Sequence, residues 1–335
     1  VQFGIFDHVD DSGLPIAEHY ETRLSLVEAM DRLGFYSYHI AEHHGTPLGL
    51  APSPSVYLAA VAQRTRRLKF GPLVYVAALY HPMRLAEEIC MLDQLSRGRL
   101  QVGLGRGAVW PEQEIYDVDP ATVPERYAEA LDIVLEALNS TTVSHTGKHL
   151  RIREFEMVLQ PYQKPRPPLW YGIGNPESAL WAAANDVNVV SLQPAAVARR
   201  TLDRYREEWA RLGKSDAALP FLGLARHVVV AETDAQALEV ARAAFPRWRA
   251  SFSHIWERRN VPLPFSRPAD WDALQAAGLG IAGSPQTVRE YLATQSQQAG
   301  SNFGLCQMVF GSMDREAALR SLTLFAEKVA PQLAH

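Results

Sequence analysis

Long apolar runs, a basic tail and a cysteine framework are all missing from this chain of 335 residues. No uninterrupted hydrophobic stretch reaches the roughly 20 residues that a bilayer core requires, so no transmembrane helix is expected. The run Val1-Gln2-Phe3-Gly4-Ile5-Phe6 reads as a short strand and lacks the basic and apolar regions of a signal peptide, which predicts a cytoplasmic protein. Lys and Arg number 33 against 37 Asp and Glu, giving a formal charge of −4 and a pI near 6.3. That balance argues against a nucleic-acid or anionic-membrane surface and leaves small neutral or anionic ligands. Cys90 and Cys306 are far apart, form no C-x-x-C spacing, and fit buried thiols in a reducing compartment. Neither H-x-H nor H-E-x-x-H occurs, so no metal site is expected.

What is present is an alternation of strand-like and helix-like segments in a chain with 47% hydrophobic residues, enough for a large core. Strands are predicted at Phe3 to Phe6, Tyr36 to Ala41, Leu68 to Val76, Leu100 to Leu104, Leu169 to Ile173, Asn188 to Leu192, Leu222 to Val230 and Leu305 to Phe310. Helical periodicity follows each, as in Leu24, Val27, Met30 and Leu33, stopped by Gly34, or Tyr127, Leu131, Val134, Leu135 and Leu138 after Pro124. The His145-Thr146-Gly147-Lys148 turn between Thr142 and Ile152 reads as an inserted hairpin. Eight strand–helix units predict an α/β fold, a (β/α)8 TIM barrel, as a single domain over 1–335. The stretch 252–284, with Trp256, Trp271 and three prolines, breaks the rhythm before strand 8 and is predicted to be a mobile lid insertion.

Chemistry on such a barrel sits at the C-terminal ends of the strands. Ala41-Glu42-His43-His44 lies just past the second one. Consecutive side chains leave a strand on opposite sides, so the two imidazoles are poorly placed to chelate one metal. A base or hydrogen-bond donor at neutral pH and a mere loop cap both remain open. Gly103-Leu104-Gly105-Arg106-Gly107 follows the fourth strand with G-x-G-x-G spacing, which is not the dinucleotide fingerprint. Gly172-Ile173-Gly174-Asn175-Pro176-Glu177-Ser178 ends a strand and opens a helix, where free amides and a hydroxyl suit an anion. Each glycine run alone is better explained by tight packing; together with Arg126 they suggest a phosphate-bearing cofactor.

These residues, with His81-Pro82-x-Arg84-x-Ala86-Glu87, Leu92-Asp93-x-Leu95-Ser96-x-Gly98-Arg99 and Glu125-Arg126, resemble the bacterial luciferase-like flavin monooxygenases. The resemblance runs from Phe3 to the segment 325–331 and weakens across 252–284. It implies reduced FMN at the barrel mouth, reacting with O₂ to a peroxyflavin that oxygenates a small organic substrate, with a separate reductase supplying FMNH₂ and a homodimer as the assembly. His43 and His44 are then the candidate catalytic residues, with His43 beside the flavin and His44 acting through packing or the subunit contact. Arg106 and Arg126 correspond to phosphate ligands, as does the turn at Gly174, Asn175 and Ser178. Leu73-Val74 matches the place where the family often carries a non-prolyl cis peptide against the flavin ring. Luciferase itself has a reactive cysteine where this chain has Gly105, a departure that bears on light emission and long-chain aldehyde and leaves flavin binding untouched. It also has an acidic residue and serine where this chain has Gly174-Asn175, which shifts the phosphate toward backbone amides. Two other readings fit the same resemblance: F420-dependent hydride transfer on the same fold, and a flavin-binding protein without catalysis.

Overall fold

The computed structural model of the protein describes residues 1–263 and 268–333. The chain opens with β1 (Gln2–Asp7), α1 (Ile16–Leu33), β2 (Ser37–Ile40) and α2 (Pro54–Arg64). Strand β3 (Lys69–Pro72) and the short β4 (Tyr75–Val76) follow, then α3 (Pro82–Ser96), β5 (Val102–Gly105), α4 (Trp110–Ile115) and α5 (Val123–Asn139). A hairpin of β6 (Thr142–Thr146) and β7 (Arg151–Glu156) leads to β8 (Leu169–Gly172), α6 (Pro176–Ala184), β9 (Asn188–Ser191), α7 (Ala195–Arg211) and β10 (Leu222–Val230). The last part runs through α8 (Asp234–Arg258), α9 (Trp271–Ala276), β11 (Gly280–Gly283), α10 (Pro285–Ala299), β12 (Phe303–Gln307) and α11 (Arg315–Leu324).

Parallel pairing runs β3-β2-β1-β12-β10-β9-β8-β5-β4, with β11 added on the upper half of β10. A bridge between Phe70 and Leu100, with Phe70 N–H donating to the Arg99 carbonyl and Gln101 N–H to the Phe70 carbonyl, joins β3 to the approach of β5. The result is the TIM-barrel architecture, helices outside and parallel strands inside. Closure at this seam depends on Gly71, because a Cβ there would overlap the Gln101 carbonyl oxygen. Strands buried on both faces read as continuous apolar runs, and β2, β5 and β9 are buried throughout.

The barrel interior is unusually aromatic toward its closed end. Tyr36, Phe221 and Phe303 meet edge to face or tilted, and Trp170 stacks on Phe221 and packs against His39. Trp170 Nε1 donates to Gln101 Oε1 at 2.9 Å, which satisfies the indole inside an otherwise apolar plug. Burial holds the His39 imidazole down at about 3. The plug fills the barrel interior near the strand starts, and chemistry on this fold belongs to the C-terminal mouth.

Several elements differ from the sequence expectation for physical reasons. The third strand is two pieces, β3 and β4, with the cis Leu73–Val74 peptide between them. The eighth strand ends at Gln307, with Met308 to Phe310 already in the loop. Helix α11 stops at Leu324 and its final turn widens into a π-helix over Phe325–Val329. Of the stretch predicted as a lid, 252–258 completes the 25-residue helix α8, while α9 and β11 take up much of the remainder, and 264–267 lie outside the described residues. Helix α4, only six residues long, was hidden by its Trp-Pro start. Helix α10 was not foreseen either, although Ser284 caps it by accepting from Thr287 N and Pro285 follows at the first position.

Candidate functional site at the barrel mouth

Two sides of the mouth can be built from the strand exits. On the first, the chain leaving β2 carries Glu42, His43 and His44, and α4 supplies partners for both imidazoles. His43 Nδ1 lies 2.9 Å from Glu112 Oε1. A carboxylate only accepts, so Nδ1 carries the proton, and Nε2 has no partner among the described residues. His44 Nε2 meets Glu42 Oε1 at 2.8 Å, and by the same logic His44 Nδ1 accepts from the Tyr116 hydroxyl at 2.8 Å. The second Glu42 oxygen accepts from Val76 N–H and the Tyr80 hydroxyl, both at 3.0 Å. Burial, with Glu42 and Glu112 nearby, pushes the Tyr116 phenol up and keeps it a donor. Both ring nitrogens of buried His44 are therefore occupied by groups that tie β2, β4 and α4 together. Of these two adjacent imidazoles, His43 is the one that keeps a nitrogen without a partner among the described residues.

His43 has a second neighbour. The His8 ring, at the exit of β1, stacks on it with centroids 5.7 Å apart and planes 20° from parallel. Trp248 Nε1 (3.4 Å) and Gln307 Nε2 (3.0 Å) both approach His8 Nδ1; indole N–H can only donate, so His8 carries its proton on Nε2.

On the second side, the exits of the neighbouring strands β5 and β8 lie side by side. Gly105 sits where a Cβ would overlap the Val74 side chain, so this glycine serves the packing of β5 against the cis turn. At Gly172 and Gly174 the opposite holds: a Cβ would meet nothing within 4 Å. Open space there is bounded by the first turn of α6. Asn175 Oδ1 caps that turn, accepting from Ser178 N–H and the Ser178 hydroxyl, both at 3.0 Å. Arg106 has no hydrogen bond or ion pair among the described residues, although its charge acts on the buried Tyr127 phenol. Arg126 donates through Nε to Thr122 Oγ1 at 3.2 Å and keeps its remaining donors. Two guanidinium groups without a carboxylate, an open backbone at two glycines and a helix N-terminus are a donor set suited to a phosphate. The structure thus fits a phosphate-bearing cofactor on this side.

Leu73, Val74, Gly105 and Arg106 are brought together by the pairing of β4 with β5, and Gly174, Asn175 and Ser178 follow β8, the neighbour of β5. His43 leaves β2 beside the cis turn, where Leu73 N–H donates to the Ile40 carbonyl at 2.7 Å and Val76 N–H to Glu42. Glu112, Tyr116, His8 and Gln307 were missed in the sequence. The signal for Glu112 was faint, a lone acid in Trp110-Pro111-Glu112-Gln113, and its relation to His43 spans 69 positions. Among the described residues no group of three or more His, Cys, Asp or Glu could hold a metal ion. No described helix is long and apolar enough to cross a membrane.

Residues 1–302 match the family model described as luciferase-like monooxygenase. The chain belongs to that family. A protein of Sinorhizobium fredii, y4wF, named as uncharacterized, is 43% identical over 95% of this chain and 93% of its own length. Limonene 1,2-monooxygenase of Rhodococcus erythropolis is 29% identical over 99% of this chain and 86% of its own length. Among solved structures, the oxygenating constituent of the 3,6-diketocamphane monooxygenase from Pseudomonas putida, in complex with FMN, superposes with a TM-score of 0.82 at 21% identity. It covers 99% of this chain and 98% of that one, a likeness that shows the shared fold.

Proposed function

We propose that this luciferase-like protein is a flavin-dependent monooxygenase that uses reduced FMN and O₂ to oxidise a small organic substrate. The observation that carries the reading is one barrel mouth with unspent cationic donors at Arg106 and Arg126 and, of the His43-His44 pair, a free nitrogen on His43. Arg106, Arg126 and the amides at Gly174, Asn175 and Ser178 would hold the phosphate, and Leu73, Val74 and Gly105 would flank the ring. When bound, reduced flavin supplies the two electrons with which O₂ gives one oxygen atom to the substrate and the other to water. His43 Nε2 moves a proton at that reaction, oriented by Glu112 at Nδ1. His44 holds α4 and the β2 exit in place through Glu42 and Tyr116. The described part of 252–284, through Phe252, Ile255 and Trp256, walls the space beside His43, and the whole chain acts as one domain.

A neighbour described as an oxygenating constituent in complex with FMN supports both FMN and a separate reductase. Two free, buried cysteines support a reducing, cytoplasmic setting. Exposed Val56 on α2 and Met91 and Leu95 on α3 support a homodimer formed through those helices, and a monomeric mass by light scattering would contradict it.

The test is an anaerobic absorbance titration with FMN, FMNH₂ and F420, followed by mixing with O₂. Binding of FMNH₂, and its reoxidation in the protein at a rate different from that of free FMNH₂, is expected. Preference for F420 without oxygen consumption would establish hydride transfer instead, and flavin binding with an unchanged reoxidation rate would leave a carrier.

A further inference from the structure

Arg226, in the middle of β10, is only 3% exposed and makes no ion pair with a carboxylate among the described residues. A guanidinium stays charged when buried, so its donors have to be met by oxygens. Nε and Nη2 donate to Gln295 Oε1 on α10 at 3.1 and 2.9 Å, and Nη1 donates to the Ala225 carbonyl at 2.6 Å. Nη2 donates also to the Gln193 carbonyl at 3.0 Å. Of these three partners, Gln193 is the one outside the regular elements, in the loop between β9 and α7 at the mouth.

Gln193 passes that anchor on to the next strand exit. Its N–H donates to Ser191 Oγ at 3.3 Å, and its side-chain Nε2 donates to the Gly174 carbonyl at 3.2 Å. A Cβ at Gly174 would meet nothing within 4 Å, so packing does not fix the tilt of the Gly174–Asn175 peptide. That peptide is trans and planar, and a carbonyl turned to Gln193 sends the Asn175 N–H the opposite way. Strand order supplies the direction. Strand β8 lies between β9, which Gln193 follows, and β5, which Arg106 follows. The Asn175 N–H is therefore turned to the side of Arg106, and it has no hydrogen bond among the described residues.

We propose that Gln193 and Arg226 are positioning residues for a phosphate monoester: Arg226 fixes Gln193, and the Gln193 amide fixes the Gly174–Asn175 peptide with its N–H presented beside Arg106. The inference rests on reading Arg106 and the turn at 174–178 as the phosphate site, and it adds two residues that act through that turn. A charged donor holds a carbonyl more firmly than a neutral one does, so the buried guanidinium behind the loop keeps the Asn175 N–H in one orientation before any ligand arrives. A flavin without a phosphate gains nothing from that N–H.

The test is an anaerobic calorimetric titration of the full chain with reduced FMN and with reduced riboflavin. Gln193→Met keeps the length of the side chain and removes its donor. It is expected to weaken FMNH₂ binding about tenfold, the scale of one hydrogen bond to a charged group, and to leave reduced riboflavin within about twofold of wild type. Arg226→Lys keeps the charge but loses the fork that holds Gln193 and Gln295 together, and is expected to weaken FMNH₂ binding by a smaller factor. The double variant is expected to lose no more than Gln193→Met alone, because both residues act on one peptide. Gln193 is half-buried in a loop, so Gln193→Met decides the matter even where Arg226→Lys is unstable. A loss shared by both flavins, or additive losses in the double variant, would overturn the proposal. A wild-type protein that binds the two flavins equally would overturn the phosphate reading and this inference with it, whereas a preference for FMNH₂ that persists undiminished in Gln193→Met sinks this inference alone.

Discussion

The two sides of the barrel mouth handle their polar groups in opposite ways. Around Arg106, Arg126, Gly172 and Gly174 the donors and the backbone are open. Around Glu42, His43, His44, Glu112 and Tyr116 nearly every donor has its acceptor inside the protein, and the walls are apolar. The difference teaches where a charge can be accepted from outside. A phosphate stays charged and hydrated until bound, so the side that receives it must keep donors unspent. A reacting centre that has to exclude water gains by spending them, because a satisfied network fixes the geometry in which His43 Nε2 acts.

The largest expected effect breaks the second side. His43→Ala should lower turnover about 100-fold or more, the lower end of acid–base contributions, while the flavin titration and thermal melt stay near wild type. A fully active variant in a steady-state assay with supplied FMNH₂ would return His43 to a loop cap. Next comes its partner. Glu112→Ala removes a hydrogen bond to a charged group and should reduce turnover by roughly 10-fold, consistent with about 1.5–3 kcal/mol for such bonds. Glu112→Gln, whose amide oxygen can still accept from Nδ1, should recover most of it, and equal losses in both would show that packing, not orientation, is what Glu112 supplies.

On the first side, Arg106→Ala should weaken FMNH₂ binding by about tenfold and leave riboflavin binding almost unchanged, as expected from losing a charge-assisted contact to phosphate. Equal losses for both ligands would make the arginine structural. His44→Ala leaves turnover closer to wild type but strands Glu42 and Tyr116, costing about 1–3 kcal/mol of stability in denaturant unfolding.

The last prediction concerns pH dependence at the closed end of the barrel, away from the mouth. His39 is held neutral by burial, with its titration lowered to about 3 from an ordinary value near 6.5. A depressed folded value means stability that is complete above the unfolded value and lost as pH falls toward the folded one. Unfolding free energy should therefore decline between about pH 6 and pH 4 by an amount approaching 1.4 kcal/mol per pH unit for this group. His39→Leu should flatten that limb, and an unchanged slope would show that His39 does not set it.

Much of this architecture was legible because it follows local rules. The stop of helix 16–33 at Gly34, left-handed in the structure, the opening of helix 176–184 after Asn175, and strand 222–230 were all readable. The cis turn at Leu73-Val74 was legible only through family resemblance, since no local preference writes a non-prolyl cis bond into Gly71-Pro72-Leu73-Val74. For the site, His43 stood out because two adjacent imidazoles follow a strand. Glu112 did not, because its importance lies in a contact across 69 positions, from a helix too short to show a period. The glycines divided for the same reason: sequence treats Gly105 and Gly174 alike, while packing fills the space beside one and leaves the other open.

The separation of roles across the mouth is tested most directly by measuring, in one set of preparations, the FMNH₂ dissociation constant and the turnover at saturating flavin for Arg106→Ala and His43→Ala. The account predicts a crossed result, with Arg106→Ala weakened about tenfold in binding yet near wild type in turnover once saturated, and His43→Ala unchanged in binding yet down about 100-fold in turnover. Losses of both quantities in both variants would contradict it.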